Sequence, residues 1–212
     1  LAVRDIVGLA IGTRPDCVGG PVLDLIQGYA EKAMVWVEYG LQSVHDSTLK
    51  RIGRGHDFKC FDDAVQRTRD RGIAICAHII VGLPGETREQ MLETAERLGD
   101  MGIDGVKLHL LYVIRGTEME RLLTRGRYRC LDQEEYVELV CDIIERLPPG
   151  VVIQRLTGDP HPSELVAPAW AMDKRGTLSM IQKTLDRRGS WQGIRLGKPI
   201  SSLAEALHPP PL

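Results

Sequence analysis

A chain of 212 residues, 43% hydrophobic and 26% charged, is ordinary for a water-soluble domain and long enough to bury a sizeable core. A formal net charge of -2 removes any general attraction to nucleic acid or acidic membranes, and no apolar run is long enough to span a bilayer, so a cytoplasmic setting without a membrane partner is expected. The five cysteines, Cys17, Cys60, Cys76, Cys130 and Cys141, stand too far apart for neighbouring thiolates to grip one zinc or one cluster, and Cys76 and Cys141 read as small buried hydrophobes. Cys17 follows GTRPD and is placed to look into a site.

Strand-like runs begin near Ile6, Met34, Ile73, Gly105 and Val151, with helical patterns between them. Leu1 is not Met and the first strand follows almost at once, so the chain reads as cut from something longer. Pro21 opens the first helix, whose apolar face is predicted as Val22, Leu25, Ile26 and Tyr29. Asp57 caps the second, with Phe61, Ala64, Val65 and Thr68 inward. Thr87 and Gln90 form a capping box for the third, which buries Met91, Leu92, Ala95 and Leu98, and Asp132 and Glu135 do the same for the fourth, with Tyr136, Leu139, Val140, Ile143 and Leu147 inward. A proline-rich loop, GDPHPSELVAPAW, precedes a last helix over Thr177 to Arg188. The order strand-helix, repeated, predicts a parallel α/β fold. It divides into a barrel-like part over 1–158, an extension with a helix over 159–196, and a weakly ordered tail over 197–212.

Three strands share one oddity, a polar residue inside an apolar run. Side chains alternate along a strand, so Trp36, Glu38, Gly40 and Gln42 share one face, as do Cys76, His78, Ile80 and Gly82, and Lys107, His109 and Leu111. The alternate faces are purely apolar and suit a helical cover. Glu38, Gln42, His78, Lys107 and His109 therefore converge in the interior of a barrel or half-barrel. An internal salt bridge of Glu38 with Lys107 beside two satisfied histidines accounts for each residue singly; five polar groups on three successive strands favour a site for a polar ligand. The loops at the strand ends, GTRPD, LQSVHD, GLPGET and VIRGT, lie where α/β folds keep their chemistry.

Gly82-Leu83-Pro84-Gly85 permits close approach of backbone to a flat ring, though a phosphate site or a plain structural turn explains it equally well. Arg51, Arg54 and His56 in KRIGRGHD read evenly as a solvated basic loop or an anion-binding segment.

EYGLQSVHDSTLKRIGRGHD, HIIVGLPGET and KLHLLYVIRGT together resemble the later strands of the radical S-adenosylmethionine superfamily, over about Val7 to Gly158. Within it GTRPDC, GLQSVHD and RGHD are similar to an uncharacterised bacterial subfamily related to the catalytic subunit of Elongator. The resemblance implies a partial parallel (β/α) barrel with its first strand-helix units outside this sequence, and a small-molecule cofactor, S-adenosylmethionine. It implies that Gln42 bonds the ribose with Glu38 deeper on the strand, that Arg54 meets the methionyl carboxylate, that His78 reaches the ribose, and that Ile80, Gly82, Leu83 and Pro84 pack on adenine. Arg14, Lys107, His109 and Arg115 are left for an unidentified substrate or for lining the cavity, and the Elongator likeness brings in tRNA by analogy alone.

One departure is plain. The superfamily holds a [4Fe-4S] cluster on a Cys-x-x-x-Cys-x-x-Cys type loop, and this sequence has no such triplet. The implied expectation is the carboxyl-terminal part of a parent enzyme that cleaves S-adenosylmethionine reductively, with the cluster ligands in the full-length parent only and this chain inert alone. The alternatives are a non-catalytic binding or scaffold fragment, and a phosphate-binding barrel enzyme that uses the turn at Gly82 without iron.

Overall fold

The computed structural model describes residues 5–197. Seven strands form, β1 (Gly8–Thr13), β2 (Met34–Gln42), β3 (Ala74–Val81), β4 (Gly105–Leu110), β5 (Val113–Ile114), β6 (Val152–Arg155) and β7 (Leu165–Ala167). Five of them make one parallel sheet in the order β1-β2-β3-β4-β6, while β5 and β7 pair antiparallel in a separate small sheet. Seven helices accompany them, α1 (Gly20–Ala30), α2 (Asp46–Arg51), α3 (Phe58–Thr68), α4 (Arg88–Asp100), α5 (Glu118–Thr124), α6 (Gln133–Ile144) and α7 (Lys174–Arg188).

Strand order that follows chain order has a consequence for the site. Right-handed crossovers that always step in the same direction put every connecting helix on the same face of the sheet. Val35, Val37, Tyr39 and Leu41 of β2, Ile75, Ala77, Ile79 and Val81 of β3, and Val106, Leu108 and Leu110 of β4 are buried on that face. They join one core with Leu23 and Ile26 of α1, Phe61 and Val65 of α3, Leu98 of α4 and Leu139, Val140 and Ile143 of α6. The opposite face is left for the alternating polar set.

The helix starts follow the expected capping chemistry. The Asp57 carboxylate accepts from the Cys60 amide at 2.8 Å, the reciprocal box Thr87–Gln90 is formed, and at α6 the Glu135 carboxylate accepts from the Asp132 amide at 2.8 Å. The last helix begins three residues before Thr177, at Lys174, because Asp173 caps it by accepting from the Gly176 amide, and it stops at Gly189 in the left-handed region. Arg188 ties α7 to α6 by pairing with Glu138, Asp142 and Glu145, and Ala171 and Ile181 share the common core. The segment after residue 158 thus packs on the barrel helices through that core. Beyond Gly197 the expected tail lies outside the described residues.

Two expectations need correction. On α1 the buried face is Leu23 and Ile26, whereas Val22 and Leu25 are 43% and 65% exposed, because the helix begins at Gly20 and its phase turns the i, i+3 pair Leu23/Ile26 to the sheet. The fourth strand, expected to carry Leu111 on its polar face, ends at Leu110, and Val113 and Ile114 pair with Ala167 and Leu165 in the small sheet. Helices α2 and α5 were not anticipated. The second carries a legible Thr117-x-x-Glu120 start, with Thr117 accepting from the Glu120 amide, but no buried residue marks its face.

Candidate functional site

The uncovered face of β2, β3 and β4 brings Glu38, His78 and Lys107 together. Parallel register sets His78 beside Gly40 on one side and Lys107 on the other. The Lys107 ammonium donates to Glu38 Oε2 at 2.5 Å, and His78 Nε2 lies 3.1 Å from the same oxygen. Glu38 is only 8% exposed. Burial alone would push its carboxyl up, but Lys107 and His78 together hold it below the ordinary value. Burial, and then the Lys107 charge, press His78 below the ordinary histidine value against the pull of Glu38. His78 is therefore neutral at pH 7, and one carboxylate and one ammonium neutralise each other between three strands. The trio forms the expected salt bridge, and the site question rests on what stands next to it.

What stands next to it is Gly40, two residues beyond Glu38 on the same face. A β-carbon there would collide with the Arg54 guanidinium and sit 3.0 Å from Gln42 Nε2, so the missing side chain seats both groups. Arg54, carried by the loop after α2, donates to the Gly40 carbonyl from Nε at 3.1 Å and Nη2 at 2.6 Å. Its Nε also lies 3.0 Å from His56 Nε2. Burial lowers the Arg54 pKa from its ordinary value, an environment in which an anion is welcome. Gln42 has φ of 80°, in the left-handed region, at a shift in the β2–β3 register where it pairs with Ile79. Such strain at a non-glycine residue on a bulge re-aims a side chain, here back over Gly40.

His109 stands further along, opposite Ile80 in register, and its Nε2 lies 2.5 Å from Nη1 of Arg155 at the end of β6. Arg155 is the residue that the sequence reading missed. Strict alternation from Ile153 would point Arg155 at the helices, but the β4–β6 register shifts between Val106 and Lys107, so Ile153 pairs with Val106 and Arg155 with Lys107. The bulge brings Arg155 onto the polar face.

Other expected residues are placed differently. Gly82 has φ of 92° and its turn is filled by the chain itself: a β-carbon would lie 3.2 Å from Leu131 and 3.8 Å from the Tyr128 hydroxyl. Tyr128 donates to the Gly82 carbonyl at 2.8 Å, and the Gly82 amide points at Met91 Sδ, 3.3 Å away. Leu83 is buried, and the Pro84 carbonyl accepts from Arg51 at 2.7 Å. Arg14 is paired with Asp16 on an exposed loop, and the Arg115 amide bonds the Glu164 carbonyl beside the small sheet; neither joins the polar trio. A cleft of about 690 Å³ is lined by Arg54 together with Asp16, Asp46, His56 and Cys60.

Four of the five thiols are disfavoured as thiolates by burial. Burial pushes Cys76 up to about 12 and Cys141 up to about 11, and raises Cys60 and Cys130 as well. Among the described residues no three His, Cys, Asp or Glu side chains are grouped to hold a metal ion. No helix there is long and apolar enough to cross a membrane.

Comparison with known proteins bears on the family and the fold. The family model of the Radical SAM superfamily matches residues 1–98, and that of the Radical_SAM C-terminal domain matches residues 103–187. The chain is 43% identical over 193 residues to the uncharacterized protein YtqA of Bacillus subtilis, covering 91% of this chain and 60% of that protein. It is 30% identical over 157 residues to human Elongator complex protein 3, covering 72% of this chain and 28% of that one. The structure of archaeal Methanocaldococcus infernus Elp3 superposes with a TM-score of 0.76 at 25% identity, over 88% of this chain and 43% of the other. The chain spans about three fifths of the length of the bacterial relatives it matches.

Proposed function

This chain belongs to the radical S-adenosylmethionine superfamily, and from that premise we propose that the uncovered face of β2–β4 holds S-adenosylmethionine for a reductive cleavage carried out by the whole protein. The observation that carries the reading is the seat at Gly40, which sets the Gln42 amide and the Arg54 guanidinium on the face that also bears Glu38 and His78. The donor set fits the cofactor's parts. Vicinal hydroxyls call for acceptors and a neutral imidazole or amide, which Glu38, His78 and Gln42 supply; a carboxylate calls for a guanidinium, which Arg54 supplies from Nη1 while Nε and Nη2 stay on the Gly40 carbonyl. Ile80, partly exposed beside His78, offers apolar surface to a flat base. Bound there, and given one electron by the cluster of the whole protein, the cofactor would supply a 5'-deoxyadenosyl radical for hydrogen abstraction from a substrate, with methionine as the other fragment. The residues named here bind it, orient it and exclude water from it.

The cluster is another matter, because the cysteines of this sequence do not fit it. No three share a loop, and the buried ones are held as thiols. The thiolates would come from residues outside this sequence, so this chain alone is proposed to bind the cofactor without cleaving it. The phosphate reading of the Gly82 turn loses its basis, since the space above Gly82 belongs to Leu131 and its amide is directed to Met91. tRNA as a substrate rests on the Elongator likeness alone.

Calorimetric titration with S-adenosylmethionine tests the reading. Micromolar binding is expected for the native protein, with a loss of about tenfold for Gln42→Ala and for Arg54→Met, the worth of one charge-assisted or buried hydrogen bond. Equal affinity in both variants would reject the site. The intact protein, reconstituted with iron and sulfide and reduced, should release 5'-deoxyadenosine, and the 212-residue chain should not.

A further inference from the structure

The charges of the polar face do not balance. Glu38 is neutralised by Lys107 at 2.5 Å. His78 is pressed below its ordinary value by burial, and burial followed by the Arg155 charge presses His109 down to about 4, so both imidazoles are neutral at pH 7. Arg155 remains. Among the described residues it pairs with no carboxylate; its one side-chain partner is the neutral His109 ring.

The surroundings of this pair are built. His109 accepts from Arg155 at Nε2, which leaves its proton on Nδ1. That nitrogen would lie 3.6 Å from a β-carbon at Gly158. The Tyr112 ring rests on Gly158 so closely that a β-carbon there would come within 2.5 Å of it, giving the pair an aromatic neighbour. Arg155 itself is exposed, and an imidazole that takes one of its five N–H groups fixes the fork and leaves the rest free.

We propose that Arg155, oriented by His109, is the point at which this face takes an anionic group of the substrate, a phosphate or a carboxylate, beside the Tyr112 ring. The proposal rests on the cofactor reading above, in which Arg54 serves the cofactor and Arg155 is left for the other reactant. An uncompensated guanidinium with a preset fork is the usual recogniser of such oxyanions. Lys107, the register partner of Arg155 on β4, is occupied by Glu38 and acts as a supporting charge.

The test is an NMR titration of the intact protein with inorganic phosphate and, in a parallel arm, with malonate, following the His109 ring nitrogens. A saturable shift with phosphate alone assigns a phosphate, with malonate alone a carboxylate, and with both a general oxyanion point. Arg155→Met should weaken that binding about tenfold while Arg155→Lys, which keeps the charge and loses the fork, weakens it less. S-adenosylmethionine affinity, measured on the same samples, should be unchanged in Arg155→Met. No shift with either anion, or equal anion binding in Arg155→Met, overturns the proposal; so does a parallel loss of S-adenosylmethionine affinity, which would make Arg155 part of the cofactor site. Native protein that binds anions at His109 but no S-adenosylmethionine would sink the cofactor reading and leave the anion point standing.

Discussion

Replacing Glu38 with Gln removes the carboxylate on which the polar face is organised. Glu38 is 8% exposed and the Lys107 side chain 15%, so the substitution leaves an ammonium with little water and a neutral amide for company, and takes an acceptor from His78. Breaking a fully buried pair costs about 3–5 kcal/mol; with one side open to the chamber the figure falls to roughly 2–3 kcal/mol. In a chain of this size that lowers Tm by about 4–12 °C. The pH dependence carries a sign. The Glu38 carboxyl is held below its ordinary value in the fold, so its contribution is present above about pH 4.5 and lost as pH falls through the depressed value. Urea unfolding at pH 7 and pH 3.5 should therefore show a larger gap between native and Glu38→Gln at the first than at the second. The double variant Glu38→Gln/Lys107→Met should regain most of the loss, because no unpaired charge remains. A cost below about 0.5 kcal/mol at pH 7, an equal cost at both pH values, or no recovery in the double variant would refute the reasoning.

Three further outcomes follow from the same contacts. Gly40→Ala should cost about 1.5–3 kcal/mol by forcing the Arg54 guanidinium off the Gly40 carbonyl, and adding Arg54→Ala should cost no more than Arg54→Ala alone; strict additivity in a denaturation cycle would contradict the shared seat. Because His109 is neutral in the fold down to about 4 but titrates near its ordinary value when unfolded, native stability should fall as pH drops from about 6.5 to 4. Allowing for solvent contact, the slope from this residue is roughly 0.7 kcal/mol per pH unit, and His109→Gln should flatten it by that amount in acid-side urea titrations. Arg188→Met strips the cation shared by Glu138, Asp142 and Glu145, the last 3% exposed, and should cost about 2–4 kcal/mol in thermal unfolding while leaving S-adenosylmethionine affinity untouched.

Where the sequence was legible, it was so because two physical signals coincided. On β2, β3 and β4 the apolar face is unbroken, so alternation alone separated Glu38, His78 and Lys107 from the residues under the helices. Capping chemistry placed the starts of α3, α4 and α6, since a side chain that accepts from an amide three residues away, as Asp57, Thr87 and Glu135 do, makes a local bond that needs no tertiary context. Alternation failed at Arg155, where one extra residue in β6 reverses the parity and no composition signal announces a bulge. Helix α1 has apolar residues on more than one face, so whether Val22 and Leu25 or Leu23 join Ile26 inside belongs to packing against the sheet. The Gly82 turn announced close approach correctly, but which groups make the approach, Leu131 and Tyr128, is a long-range fact.

Everything in the functional reading depends on the cofactor lying against the uncovered face of the sheet. Photolabelling of the intact protein with 8-azido-S-adenosylmethionine, followed by peptide mapping, addresses that directly. The label should fall in residues 34–42 and 74–87 and be displaced by unlabelled S-adenosylmethionine. Displaceable labelling confined to the outer helices α3, α4 and α6, or to the cleft around Asp46 and Cys60, would contradict it.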